Sequence, residues 1–408
     1  TDKSKVTFTL FADANKSDLA YSNLLSKKIN SPFSLSVDGE IDEKKSISLK
    51  DVILTIGNTQ IALPTNLSTN GSIINNLSSD MIAFADITEI LSDKSFEQYR
   101  DGFISKPTIQ TNFNTNSKNG RIKIEIGESN VAAIPIRHIT SEVLLESNRY
   151  LVDPLAIGLL NGDLTSKIEL KNSIFSTNTT ITSVELGDLL KPFIIKSPIG
   201  INGLLSNAQI NSTTDTVDFA KNLTANISVD IMKGAITGIN ILNETLNKTK
   251  DIPGIEGTLK DSVPSEYSEM LEKNETSFDQ FTIRSSVSNE IISITSANLT
   301  HPLYTIILNG TTSFNGELNL KAQLKLSPVL SSPMILKKPK IKLLTDNDGS
   351  IVIPIIITGS NNIVVMPNIE DLLKRAAKSG LNEALKRALP KQGSNDKDNP
   401  VNRLRGLF

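Results

Sequence analysis

The chain has 408 residues, with 42 Lys and Arg against 44 Asp and Glu, two His and no Cys. That balance excludes the broad basic footprint that nucleic acid requires, and the missing thiols exclude disulfides, thiolate metal sites and Cys nucleophiles. Apolar residues are 38% of the chain and aromatics 5%, with no Trp, so Asn, Ser and Thr take the volume that rings fill in a dense α/β core; strands with one wet face suit that mixture.

In chain order, residues 17–28 read as a weak helix and 33–37 as an alternating strand. Residues 82–99 contain short helical signals. Residues 121–127 place Ile122, Ile124 and Ile126 on one face and charges on the other, the period of a half-buried strand. A short helix or turn is expected at 186–190 and a longer helix over 236–248, beginning near Thr237-Gly238. Residues 251–274, with Pro253, Gly254, Gly257 and Pro264, read as an irregular excursion holding a helical turn near 265–272. Alternation returns at 281–287 and over 318–326, where Leu318, Leu320, Ala322, Leu324 and Leu326 share a face. An apolar strand at 351–357 then leads through Gly359-Ser360-Asn361-Asn362 to an amphipathic helix over 369–389 and a flexible tail. Asn368 is placed as its N-cap, with Glu370 and Asp371 in the first turn.

Asp38-Gly39, Asn70-Gly71, Asn119-Gly120, Asn161-Gly162, Asn202-Gly203, Asn309-Gly310, Asn315-Gly316 and Asp348-Gly349 read as tight turns between consecutive antiparallel strands. No helix alternates regularly with the strands, so a doubly wound sheet is not expected. Pro354 inside an apolar strand predicts an edge, because Pro cannot donate to a ladder.

Chemical motifs are scarce. His138 and His301 have no metal-ligating neighbours in sequence, and no nucleophile elbow, P-loop or dinucleotide fingerprint is present. Enzyme activity and cofactors are therefore not expected. Asn-x-Ser/Thr triplets such as Asn222 and Asn298 follow from composition. The run Lys337-Lys338-Pro339-Lys340-Ile341-Lys342 reads first as the solvated edge of a hairpin with Ile341 and Leu343 inward, and second as a contact for anionic headgroups.

The C-terminal segment resembles that of the AsmA-like family of diderm bacteria, in which an I-P-I-x-I-x-G strand leads to a P-x-[IL]-x-x-L-L helix. The matching positions are Ile353, Pro354, Ile355, Ile357, Gly359, Pro367, Ile369, Leu372 and Leu373. Upstream, Gly310, Gly316, Leu318 and Leu320 are similar to a second family block. Gly234, Ile236, Gly238, Ile239, Asn240 and Ile241 are similar to a third, with Lys233 where the family has an acidic or polar turn residue, and residues 164–190 to a fourth. The resemblance spans about residues 151–389, over half the chain.

It implies a mainly β fold: a long, strongly curved antiparallel sheet forming an open groove, with few short helices, related to bridge-like lipid-transfer and TamB-type proteins. The expected organisation is an N-terminal β-repeat segment at 1–146, an AsmA-like β region at 147–366 with its excursion near 243–275, a capping helix at 367–390 and a tail at 391–408. Groove-lining residues are then Leu318, Leu320, Leu324, Leu326, Ile353, Ile355 and Ile357. The cap is Ile369, Leu372, Leu373, Ala376 and Leu385, laid over the open end of a sheet whose last rung is 351–357. Lys337, Lys338 and Lys340 are the expected headgroup contacts. The implied partners are phospholipids or other acyl-chain lipids, a membrane surface and outer-membrane assembly proteins, without nucleic acid. The implied place is the periplasm, tethered to the inner membrane by a helix that the chain, read as an excised portion, lacks. The corresponding function is non-enzymatic binding or conduction of phospholipid between the two membranes in support of outer-membrane assembly. A structural or adhesive β-rich surface protein is the alternative, and a carbohydrate-active β-helix enzyme the weakest reading.

Overall fold

Alternating Ile and Thr positions punctuated by turn residues produce hairpin after hairpin. The computed structural model describes residues 5–378, apart from 22–24, 29, 92–93, 191–198, 253–254, 256 and 361. It is mainly β: 23 of its strands belong to one antiparallel sheet, and Leu19–Tyr21 pairs with Leu25–Lys27 as a separate ribbon. That ribbon replaces the weak helix expected over 17–28. The described α-helices are short: α1 (Phe84–Ile90), α2 (Leu186–Leu190), α3 (Ile241–Asn247), α4 (Ser268–Glu272), α5 (Pro328–Lys337) and α6 (Ile369–Lys378).

The chain forms two compact units. Of the described residues, the first comprises those within 5–237, 277–297 and 311–314, the second those within 238–276, 298–310 and 315–378. The expected boundary at 146 is not a break, because strands Ile134–Glu146 and Arg149–Leu159 pair across a tight turn within the first unit.

In the first unit each strand pairs with its sequence neighbour from Ile134–Glu146 through Arg149–Leu159, Gly162–Lys171, Ile174–Glu185 and Gly200–Asp215 to Thr224–Thr237. Asn70-Gly71 makes a genuine turn: Gly71 has φ +82° and the Ser72 amide donates to Asn70 Oδ1 at 3.0 Å. Asp38-Gly39, Asn202-Gly203 and Asn309-Gly310 do not. They lie inside strands, since a strand glycine also serves a bulge or a close approach. At Gly39 an added Cβ would lie 2.5 Å from the Phe8 ring. Several hairpins instead turn on residues without glycine, such as Asn172-Ser173 (φ 51° and 65°) and Ala132-Ala133 (φ 53° and 62°).

The second unit has a closed core. Strand Val352–Gly359 lies between Leu318–Leu326 and Val364–Pro367, so it is neither an edge nor the last rung. Pro354 is tolerated because its nitrogen points to the same side as its carbonyl. There the ladder has ended, and the Asn368 amide donates to Pro354 O at 2.8 Å. α3 packs on Val364–Pro367, and α6 on Val352–Gly359 and on the 3₁₀ segment Pro339–Leu344. Asn240, not the Thr237-Gly238 pair, caps α3: Oδ1 accepts from the Asn243 amide at 2.8 Å while Nδ2 donates to Met270 O and Lys273 O. Asn368 caps α6 as the sequence implies, accepting from the Asp371 amide at 3.2 Å.

Asp348-Gly349 closes the turn that leads into this core, with Gly349 at φ +81°. Lys325 Nζ donates to Asp348 Oδ2 at 2.6 Å and the Ser350 amide to Asp348 Oδ1 at 3.1 Å. These bonds, Lys325 first, hold the Asp348 carboxyl down at about 2. A carboxyl depressed in the folded state contributes stability that is complete above its unfolded pKa of about 3.9 and is lost as pH falls through the folded value. Circular-dichroism melting is therefore expected to show a loss of stability between about pH 4 and pH 2 that Lys325→Met reduces.

Candidate functional site

Residues directly opposite in antiparallel strands lie on the same side of the sheet, so the pairing of the first unit gives the composition of each face. One row runs Leu77–Ile109–Ile124–Ser141–Leu155–Ser166–Thr179–Ile210–Ile227. The next runs Ile126–Ile139–Ile157–Leu164–Ile181–Ala208–Val229. On the other side of the first row lies Ile122–Val143–Val152–Ile168–Thr177–Ser212–Ala225. Together they make a largely apolar face across successive hairpins, interrupted by Ser141 and by the hydroxyl cluster of Ser166, Thr179, Thr177 and Ser212. The bulge between Val152 and Leu155 keeps it on one side, because the extra residue shifts the strand's parity and returns Leu155 and Ile157 to the side of Val152.

The opposite face is charged. Arg121 pairs with Glu142 at 3.0 Å, Arg137 with Asp163 at 2.7 Å, Lys167 with Asp153 at 2.8 Å and Arg149 with Glu169 at 2.7 Å. The hydrogen bond to Glu169 raises the Arg149 pKa above its ordinary value. Such exposed pairs contribute little individually, and they mark this side as the one that keeps water.

The apolar rows are neither fully buried nor free. Ile122, Ile124, Ile126, Ile139, Ile157, Leu164, Ile181, Ile210, Ile227 and Val229 are all of intermediate exposure. Four of the five hydroxyls among them are paired across strands, Ser166 with Thr179 and Thr177 with Ser212, each at 2.8 Å. Pairing removes most of the penalty of presenting a hydroxyl to hydrocarbon. Ser141 Oγ is buried with no hydrogen-bond partner.

The residues expected to line the groove lie elsewhere. Leu320, Leu324, Leu326, Ile353, Ile355 and Ile357 are between 0 and 7% exposed, and Leu318 is half-buried. They form the interior of the second unit together with Leu242, Leu246, Leu259, Leu330 and Met334, all 1% exposed or less. The expected open trough at these strands is therefore corrected to a packed core. Alternation marks an apolar face, but here the chain's own helices cover it.

In the proposed cap, Leu372 is buried and Ile369 half-buried. Leu373 and Ala376 belong to the α6 backbone, while their side chains, and the whole of Leu385, lie outside the described residues. α6 packs on the second unit's core. The lysines are partly engaged: Lys337 Nζ donates to Asp261 O and Lys338 Nζ to Thr258 O. Nor do they sit on a hairpin edge. Residues 339–344 form a 3₁₀ segment whose three-residue period buries Ile341 and Leu344 and turns Leu343 outward. The half-exposed rows of the first unit were missed as a site, although Ile122, Ile124 and Ile126 carried their signal. It becomes decisive only when the hairpin registers line them up with Ile139, Ile157 and Leu164.

His301 accepts from the Leu303 amide through Nδ1 at 3.2 Å and stacks on Tyr304 at 4.7 Å. Among the described residues no three His, Cys, Asp or Glu side chains converge as a metal site, and no helix is long and apolar enough to cross a membrane. No family model, curated protein or solved structure matches the chain.

Proposed function

We propose that the apolar face of the first unit binds acyl chains, and that the protein is a non-enzymatic lipid-binding or lipid-conducting component of a diderm envelope. The observation that carries this reading is the run of in-register, largely apolar rows, most of whose large apolar residues are of intermediate exposure, backed by a charged face. A half-exposed apolar surface that crosses this many strands is a binding surface by the usual rule for exposed patches. Each methylene it removes from water contributes about 0.8 kcal/mol. Rows that run across successive strands suit a chain-like ligand with its headgroup left in water, and they impose little headgroup selectivity. A strongly curved groove is part of the same proposal.

The test is a photocrosslinking amino acid placed at Ile124 or Ile157, with Lys123 and Thr165 on the charged side as controls, in protein expressed in a diderm bacterium. Phospholipid adducts are expected at the first pair and not at the second. Equal labelling of both faces, or purified protein carrying no extractable phospholipid, sinks the reading; an adhesive surface protein would then be the better account.

A further inference from the structure

α5 presents apolar residues in both directions. Leu330 and Met334 point into the second unit and are 0% exposed, whereas Val329 is 61% and Leu336 83% exposed, with exposed Pro333 between them at helical spacing. A helix apolar all round normally has both faces covered. The 3₁₀ segment that follows continues the outward surface with Pro339 and Leu343. The cationic residues there are Lys337, Lys338, Lys340 and Lys342, and residues 327–345 contain no Asp or Glu. Among the described residues Asp261 lies beside them: its carbonyl accepts from Lys337 Nζ, and its carboxylate accepts from Thr258 Oγ1 at 2.7 Å. A cleft of about 250 Å³ lined by Ile255, Lys338, Pro339, Lys340 and Ile341 opens beside the patch.

We infer that this surface docks on an anionic lipid bilayer, with Val329, Pro333, Leu336 and Leu343 entering the interface and Lys342 meeting the headgroups. Charge selects this occupant. Residues 379–408 carry six basic and three acidic side chains, so the chain's own C-terminal segment repels the patch rather than neutralising it. A second copy docked through the same patch would set cation against cation. An anionic bilayer supplies both the negative surface and the apolar layer beneath it, and lysines reach its headgroups while their stems lie on hydrocarbon. The inference adds a membrane to the acyl-chain reading and uses different residues, so each can fail alone.

Flotation of the purified chain with phosphatidylcholine vesicles containing about 30 mol % phosphatidylglycerol tests it, with pure phosphatidylcholine as the comparison. Binding is expected to the anionic vesicles alone and to fall with added salt. Leu336→Ser is expected to weaken it about tenfold and Lys342→Glu at least about fivefold. Both positions are exposed, so melting should be unchanged, and Ile157→Glu should leave docking intact. Absence of vesicle binding at low salt, binding that neither variant alters, or a dimer that Leu336→Ser dissolves would each overturn the proposal.

Discussion

Leu324→Ala is expected to destabilise the second unit by about 3–5 kcal/mol, the range for a large core truncation that leaves a cavity, and to leave lipid crosslinking at Ile157 unchanged. Leu324 is 0% exposed and pairs in register with Ile353, also 0% exposed, and the buried Leu330 and Met334 belong to the same interior. The interior is held by polar bonds as well as by packing. Ser331 Oγ donates to Leu326 O at 3.1 Å and accepts from the Ile351 amide at 2.9 Å, fixing α5 against the ends of both strands. With its outlets so constrained, the core has little freedom to collapse into the space a leucine vacates, which favours the upper part of the range. Urea unfolding followed by circular dichroism, with limited proteolysis to localise the loss, measures it. A cost below about 1 kcal/mol would mean that Leu324 faces an open space, and would restore the groove reading of these strands.

The apolar patterns at 318–326 and 353–357 imply a groove that the fold does not place there, for a physical reason. A period-two pattern reports that one side of a strand is apolar and says nothing of what covers it, and α3 and α5 belong to other stretches of sequence. Elements with local signals were readable: Asn368 as a cap, the strand through Ile122 and Ile124, the short helix at Leu186–Leu190. α5 was not, although Ser327-Pro328 is a helix-start signal, because Pro333 and the two serines interrupt its apolar pattern. The Lys340-Ile341-Lys342 alternation imitates a strand, while the burial of Ile341 and Leu344 follows a period of three. Asn or Asp before Gly signals a turn, but at Gly203 and Gly310 the same permissiveness serves a strand bend at φ +122° and +136°. The candidate face escaped because it belongs to no single strand. Only the register that sets Ile139 opposite Ile157, and Ile157 opposite Leu164, reveals it.

That register makes Ile157 the most informative position for the proposed function. Ile157→Glu is expected to lower phospholipid binding by about 2.5–3.5 kcal/mol, the cost of an ionisable side chain on insertion scales, or about a hundredfold. Its neighbours across the strands, Ile139 and Leu164, are apolar. The ion pairs of this region lie on the other side of the sheet, Lys167 with Asp153 and Arg137 with Asp163. A carboxylate at 157 would therefore meet the ligand's hydrocarbon without a cationic partner, and hydrocarbon cannot solvate it. Thr165→Glu is the matched control: it adds the same charge on a neighbouring strand at an exposed position that pairs with Ala156, the residue beside Ile157 and of opposite orientation. Co-purifying phospholipid, measured by mass spectrometry of extracts, should fall for the first variant and stay for the second. Because Ile157 is of intermediate exposure, the variant can keep its charge partly hydrated in the free protein, and its fold should survive well enough for the comparison. Equal loss in both variants would trace the effect to charge or stability in general and remove the face from the mechanism; equal retention would remove the acyl chain.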